Sequence, residues 1–360
     1  MRRVYWLVVF MPVALALRFA DAEPTLVFAA SAVGVIPTAA LMGEATEQLA
    51  ARAGPGIGGL LNVTFGNAPE LIIAIFALAD GLHEVVKASI VGSVVGNALL
   101  VLGAAMLAGG WRHARQSFDR TAAQAQAGML LVTVVALALP AVLQLSRHEG
   151  LPSVGEVRHG FHADINRVSV AVSLVLIATY LAGLLFSLRT HRDLFNPAQD
   201  AADAAEGAWS LRASVLVLAA AGAGVAVMSD LLVGSIEQAS SDIGISQFFI
   251  GAFVVAVVGN AAEHYVAVLA AVKDKMDLAV NIAVGSSAQV GLFVAPVLVL
   301  LSFAIGPSPM ALVFNGYELA ALLTVALIVP VLVSDGESTW FEGFQLLALY
   351  AVLGIVFYFA

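Results

Sequence analysis

Apolar residues fall in long runs of roughly twenty, separated by short polar segments. That is the length an α-helix needs to cross the hydrocarbon core of a bilayer. The runs predict about eleven spans. The first is Val4 to Phe19. Five follow: Thr25 to Ala50, Leu60 to Ala79, Val85 to Ala108, Ala122 to Leu145 and Val168 to Leu188. After a polar linker come Ala213 to Ile236, Phe248 to Val272, Leu278 to Phe303, Met310 to Val333 and Phe341 to Phe359. No segment alternates apolar and polar residues over the ~10 positions of a barrel strand, which argues against a β-barrel. Helices remain, because a segment in lipid must satisfy its own backbone groups. The expected fold is an all-α membrane protein.

Composition strengthens this picture. Hydrophobic residues make up 61% of the 360 residues and charged ones 11%, against about 45–50% and about 25% in soluble domains. A soluble core cannot absorb so many uninterrupted apolar runs. The net charge of −9 is scattered and gives no footprint for nucleic acid. The chain has no cysteine, which excludes disulfides and thiolate metal sites. Ala20-Asp21-Ala22 after the first run resembles a signal-peptidase site, but Pro12 and Arg18 suit a retained first helix better. With the N-terminus in the cytoplasm, eleven of the sixteen Lys and Arg residues face that side and five the other. The positive-inside rule then favours N-in and C-out.

An internal repeat organises the chain. Gly66-Asn67-Ala68-Pro69-Glu70 recurs as Gly259-Asn260-Ala261-Ala262-Glu263. The same offset maps Glu84 on Asp277 and Val91-Gly92-Ser93 on Val284-Gly285-Ser286. With a three-residue shift, Glu47-Gln48 pairs with Glu237-Gln238. The expected organisation is an extra N-terminal helix (1–24), a first five-helix repeat (25–190), an acidic linker (191–209) and a second five-helix repeat (210–360). Five is odd, so the second repeat must be inverted. Inverted repeats with helix-breaking polar segments at matching positions mark a secondary transporter with a midplane site.

Glu70 lies midway along its run with no other charge, and Glu263 lies inside an equivalent run. A charge at the bilayer centre costs at least about 2.5–3.5 kcal/mol, and here the cost is incurred twice. Facing carboxylates repel each other, and either a proton or a divalent cation relieves that repulsion. Protons and a divalent ion would therefore compete for the same oxygens. Asn67 and Asn260 each stand three residues before the acid, on the same helical face. Pro69 disfavours helix at Ala68, which frees carbonyls there. Calcium seeks six to eight oxygens at about 2.3–2.6 Å, whereas magnesium demands a tighter octahedron. Ser93, Asn97, Ser286, Ser287 and Gln289 on the following helices could add ligands. Close helix packing would explain Ser93 and Ser287 equally well. His264 could relay protons or tune Glu263, or it could be a packed histidine with a satisfied ring. Glu44, Glu47 and Glu237 lie near span ends as gates or as interfacial carboxylates. Asp335, Glu337 and Glu342 read as a helix-start cluster, and the linker acids as a solvated connector or a cytoplasmic site that attracts or senses cations.

These motifs together resemble the calcium/proton exchangers, the cation/proton exchanger family of the calcium/cation antiporter superfamily. Gly259-Asn260-Ala261-Ala262-Glu263-His264, followed by Val284-Gly285-Ser286-Ser287-Ala288-Gln289, is similar to the family's second signature. Gly66-Asn67-Ala68-Pro69-Glu70 is similar to the first. Gly43 to Glu47, Leu232 to Glu237 and Ser334 to Ser338 with Trp340 extend the likeness to most of the chain. The resemblance implies that Glu70 and Glu263 take calcium and protons in turn, with Asn67, Asn260, Gln289 and His264 around them. It implies an antiporter and not an enzyme. The partners would be calcium ions, protons and the lipid bilayer, with calcium as cargo, no cofactor and no nucleic acid. A homo-oligomer is left open. Short loops point to a prokaryotic inner membrane. A sodium-driven calcium exchanger of the same superfamily is the alternative.

Overall fold

The computed structural model describes residues 4–156, 161–190 and 209–360. The linker acids Asp193, Asp200, Asp203 and Glu206, and His159 of the loop before α6, lie outside these residues. The elements are α1 (Val4–Phe19), α2 (Pro24–Gly66), α3 (Ala68–Ala79), α4 (His83–Gly110), β1 (Gln116–Ser117), α5 (Arg120–Ser146) and α6 (Ala163–Thr190). Then come α7 (Leu211–Ile243), α8 (Gln247–Gly259), α9 (Ala261–Val272), α10 (Met276–Leu301), α11 (Gly316–Leu332), β2 (Glu337–Ser338) and α12 (Trp340–Tyr358).

Among the described residues, seven helices are long and apolar enough to cross a membrane. The pair α8 and α9, bent by 60° at Asn260, makes an eighth if it is one span. Helices α1, α3 and α11 are shorter apolar helices. Two elements differ from the sequence reading. The runs Thr25–Ala50 and Leu60–Ala79 were expected as separate spans, but α2 continues unbroken to Gly66. The run from Met310 was expected to be helical from its start. Instead residues 310–315 are non-helical and buried, and α11 begins only after Asn315. There Asn315 accepts from the Glu318 N–H at 2.9 Å, and Glu318 accepts from the Asn315 N–H at 2.7 Å. This reciprocal capping box fixes the helix start.

The internal repeat is visible in the backbone as well as in the letters. Helix breaks fall at Asn67 and Asn260, and the next helices end at Ala79 and Val272. Left-handed residues follow at Gly81 (φ 78°) and Asp274 (φ 60°), and new helices start at His83 and Met276. Wider π turns then occur at Gly96–Val101 and Val290–Val294. Repeat mates also touch: the Ser287 hydroxyl donates to the Val94 carbonyl at 3.1 Å, across a separation of 193 residues. Val94 and Ser287 thus hold equivalent places in the two copies and lie side by side.

The chain forms two compact units that cut across the repeats. The first holds residues 1–76, 179–244 and 258–262. Its core joins α2 to α7 through Met42, Ala221 and Val225, flanked by Phe65, Ile72 and Leu218. The hydroxyls of Thr46 and Ser229 bond to the backbone of their own helices, at the Met42 and Val225 carbonyls, which satisfies them without water. The second unit holds residues 77–178, 245–257 and 263–360. A cluster of Ala141, Ile165, Ala311 and Val313 is one of its cores. β1 and β2 pair antiparallel at one end, where Gln116 also donates to the Ala271 carbonyl and to Asp274. Within this unit Gly92 lies directly on the Ala252 backbone, with no space for a side chain. Helices in lipid gain most from such close approach by small residues.

Gly92→Ala should therefore destabilise the protein by about 1–3 kcal/mol through overpacking. Gly128→Ala, where a Cβ meets nothing within 4 Å, should leave stability unchanged or slightly raised. Equilibrium unfolding in mixed micelles, followed by tryptophan fluorescence, checks the contrast.

Candidate functional site

In the first unit, the end of α2 sets up an acid beside a backbone break. The Asn67 N–H turns back to the Phe65 carbonyl, and the Leu71 N–H reaches the Asn67 carbonyl at 3.1 Å. Pro69 occupies the first turn of α3, where its missing N–H costs nothing. Glu70, one turn in, is 8% exposed, and Asn67 and Asn260 are each 1% exposed. Gly259 belongs to the same unit. A Cβ there would stand 3.3 Å from Glu70 Cγ and 3.8 Å from Cδ. A side chain there would press on the acid, so Glu70 would have to shift by a few tenths of an ångström to admit one.

In the second unit, Glu263 stands in the first turn of α9 and accepts a hydrogen bond from the Ser286 hydroxyl at 2.8 Å. His264 Nε2 lies 3.2 Å from Asn97 Oδ1. Asn97, Ser93 and Ser286 are buried, and Gln289 is partly buried. Ser287, by contrast, bonds the Val94 and Ala283 carbonyls. Both bonds run to backbone carbonyls, as close helix packing, one of the two readings of this position, would have it. His264 has a polar partner within the membrane-spanning region, as a packed and satisfied histidine requires, and that partner is itself a predicted site residue.

The gate candidates separate. Glu44 accepts a hydrogen bond from Tyr5 of α1, while Glu47 and Glu237 are exposed. The cluster before α12 is divided by role. Glu342 completes a capping box with Thr339, Asp335 accepts from the Glu337 N–H, and Glu337 pairs with Arg115 at 3.3 Å. His162 of the loop before α6 pairs with Glu149 at 3.1 Å. Among the described residues no three His, Asp or Glu side chains converge as a metal cluster. A hard cation would have to draw on carboxylates together with amides, hydroxyls and carbonyls. The sequence reading missed Tyr5, Glu318, Gln126 and Asn281. The last two were detectable by the rule that singled out Asn97: an amide inside an apolar run needs a partner.

The breaks at Asn67 and Asn260, each followed three residues later by an acid, fall in the two stretches that match the sodium/calcium exchanger proteins, residues 23–189 and 213–359. The chain belongs to this family. Within it, the chain is 42% identical to a Ca(2+)/H(+) antiporter of Synechocystis sp., covering 98% of this chain and 96% of that one. It is 43% identical to the Ca(2+)/H(+) antiporter ChaA of Bacillus subtilis, covering 92% and 91%. Among solved structures, native YfkE matches with a TM-score of 0.83 and 38% identity over 99% of this chain and all of that one. The H+/Ca2+ exchanger CAX shares the fold, with a TM-score of 0.74 over 99% of this chain and 91% of that one, at 14% identity. The family is one of membrane transporters and not of enzymes, so calcium or any other ion would be cargo and not a cofactor.

The Asn97–His264 bond should appear as a coupling energy of about 0.5–1.5 kcal/mol in a double-mutant cycle of Asn97→Ala and His264→Ala. Unfolding free energies of the four proteins in mixed micelles measure it. Simple additivity would mean that the two side chains do not support each other.

Proposed function

We propose that this chain is a secondary antiporter that exchanges calcium for protons by alternating access, with Glu70 and Glu263 as the shared site. The observation that carries the proposal is the duplicated arrangement: a helix broken at asparagine, then a carboxylate one turn on, in both halves of the chain. Buried acids in lipid are costly unless they are used. The contact of the repeat mates Val94 and Ser287 supports an inverted arrangement, in which other mates such as Glu70 and Glu263 share an axis. Relatives named as Ca(2+)/H(+) antiporters, matched over nearly their whole length, support the cargo.

In this mechanism Asn67 and Asn260 offer amide oxygens and hold the helix breaks, and Ser286 steadies Glu263. Ser93, Asn97 and Gln289 supply further oxygens, and His264 is oriented through Asn97. Protons arriving on the two carboxylates cancel the charge that holds calcium. Calcium arriving on the deprotonated pair displaces the protons. Only one side is open at a time, so each ion's gradient drives the other. Glu44, Glu47 and Glu237 stand at the mouths, and Tyr5 restrains Glu44. The Lys and Arg distribution favours a cytoplasmic N-terminus, and in that orientation an inward proton gradient expels calcium. Sodium drive is the competing reading within the family. Gln289, where a sodium-driven exchanger would want a carboxylate, speaks against it.

Uptake of calcium into proteoliposomes should follow an imposed pH gradient and be indifferent to sodium. Glu70→Gln and Glu263→Gln should each reduce it at least a hundredfold while the protein stays folded. Sodium dependence, or uptake blind to pH, would overturn the proposal. Ser286→Ala should weaken apparent calcium affinity about tenfold, as the loss of a ~1.5 kcal/mol charged hydrogen bond predicts. Ser287→Ala, whose hydroxyl bonds only to backbone carbonyls among the described contacts, should leave it unchanged.

A further inference from the structure

The two repeats are not equal along their second helices. In α4 the stretch His83–Val95 is unbroken α-helix, and Ala88 is fully buried. In α10 the equivalent stretch is interrupted by a π turn over Asn281–Gly285, in addition to the shared one further along. A π turn inside an α-helix loosens one ring of backbone hydrogen bonds and often marks a functional position. Here it brings in Asn281, the counterpart of Ala88, whose side chain is exposed.

Asn281 is not alone. Gln126 of α5, 5% exposed, donates from Nε2 to Asn281 Oδ1, and its own Oε1 is buried without a hydrogen-bond partner. Both amides meet over Gly285. A Cβ there would lie 3.3 Å from Asn281 Oδ1 and 3.5 Å from Gln126 Nε2. The next residue is Ser286, which donates to Glu263. In the other direction Asp277 is exposed at the start of α10 and accepts the Asp119 N–H. Asp277, Asn281, Gly285 and Gln289 recur every four residues. In a plain α-helix that spacing drifts by ~40° per step, and the wider π turn takes up part of the drift. One unit thus carries a polar lane from the start of α10 to Glu263, with glycine leaving room beside it.

We propose that Gln126 and Asn281 form an intermediate binding station for a partly hydrated divalent cation travelling between Asp277 and Glu263. The proposal rests on the reading of Glu263 as an ion-carrying carboxylate. A hard cation accepts neutral amide oxygens alongside water. Asn281 Oδ1, Gln126 Oε1 and the backbone at the π turn are such oxygens. Neutral ligands also hold the ion weakly enough to pass it on, which conduction toward a tight site requires. The first repeat offers Ala88 at the corresponding place, so the station serves one membrane face only.

The test uses the full-length protein in proteoliposomes, with radioactive calcium as the probe. Asn281→Leu should raise KM for calcium at least fivefold while keeping the maximal rate within twofold. Asn281→Asp should keep KM at or below the parent value. The chain has no cysteine, so Asn281→Cys gives a single thiol. A cationic thiol reagent should modify it and stop uptake, and millimolar calcium should slow that modification. Should Asn281→Leu fail to fold, calcium protection of the Asn281→Cys thiol decides the matter. Unchanged KM in Asn281→Leu together with no calcium protection would overturn the station. If Glu263→Gln is inactive in the same assay, that result leaves the reading of Glu263 standing. Active Glu263→Gln would remove that reading, and this inference with it.

Discussion

Hydrocarbon offers no hydrogen bonds, and every unusual feature of this chain answers to that fact. An interrupted helix in lipid exposes carbonyls and N–H groups at a cost of several kcal/mol each. Asn67 and Asn260 interrupt helices all the same, and the chain resumes a helix at the next residue each time. At Asn67, where the described bonds run, the break is closed by local bonds, from Asn67 back to Phe65 and from Leu71 to Asn67. The same medium makes a lone carboxylate intolerable and a hydroxyl beside it valuable. Glu263 has Ser286. Structure and proposed transport share one cause: groups that water would satisfy must find partners among themselves or in a passing ion.

Much of this was legible in the letters. Span lengths, the repeat and the two acids follow from apolar run length and from pentapeptides that recur in order. The capped start of α11 was legible too, in Asn315-x-x-Glu318, but an apolar run beginning at Met310 masked it. Other features were not. Gly and Pro in the stretch after Arg52 read as a helix end, yet α2 passes through to Gly66. Propensity is a weak prior once neighbouring helices supply the packing. The π turns carry no period of their own, so nothing in the sequence separated Asn281–Gly285 from the ordinary helix at the matching place in α4. For the same reason the pairing of Gln126 with Asn281 needed coordinates, although each amide alone was conspicuous. Ser287 shows the converse: it sits in a signature stretch, and its hydroxyl bonds backbone carbonyls.

The symmetry of the chain is one of backbone, and its asymmetries are of side chain. Gly81 and Asp274 adopt the same left-handed turn, although that conformation is easy for glycine and only tolerated by aspartate. Turn, helix start and π segment persist while the residues that fill them diverge. One such divergence sets the fully buried Ala88 in the first copy against the exposed Asn281 in the second.

Each compact unit takes segments from both halves of the chain, and the small ribbon of β1 and β2 joins a strand from one half to a strand from the other. Neither half therefore makes up either compact unit by itself. A half-length ancestor would have had to bind a second copy of itself to bury these same surfaces. Joining two such copies in one chain would fix them at one to one and free each to specialise without losing its mate. During synthesis the consequence is temporal: the first half must wait in the membrane, incompletely buried, until the second has been made.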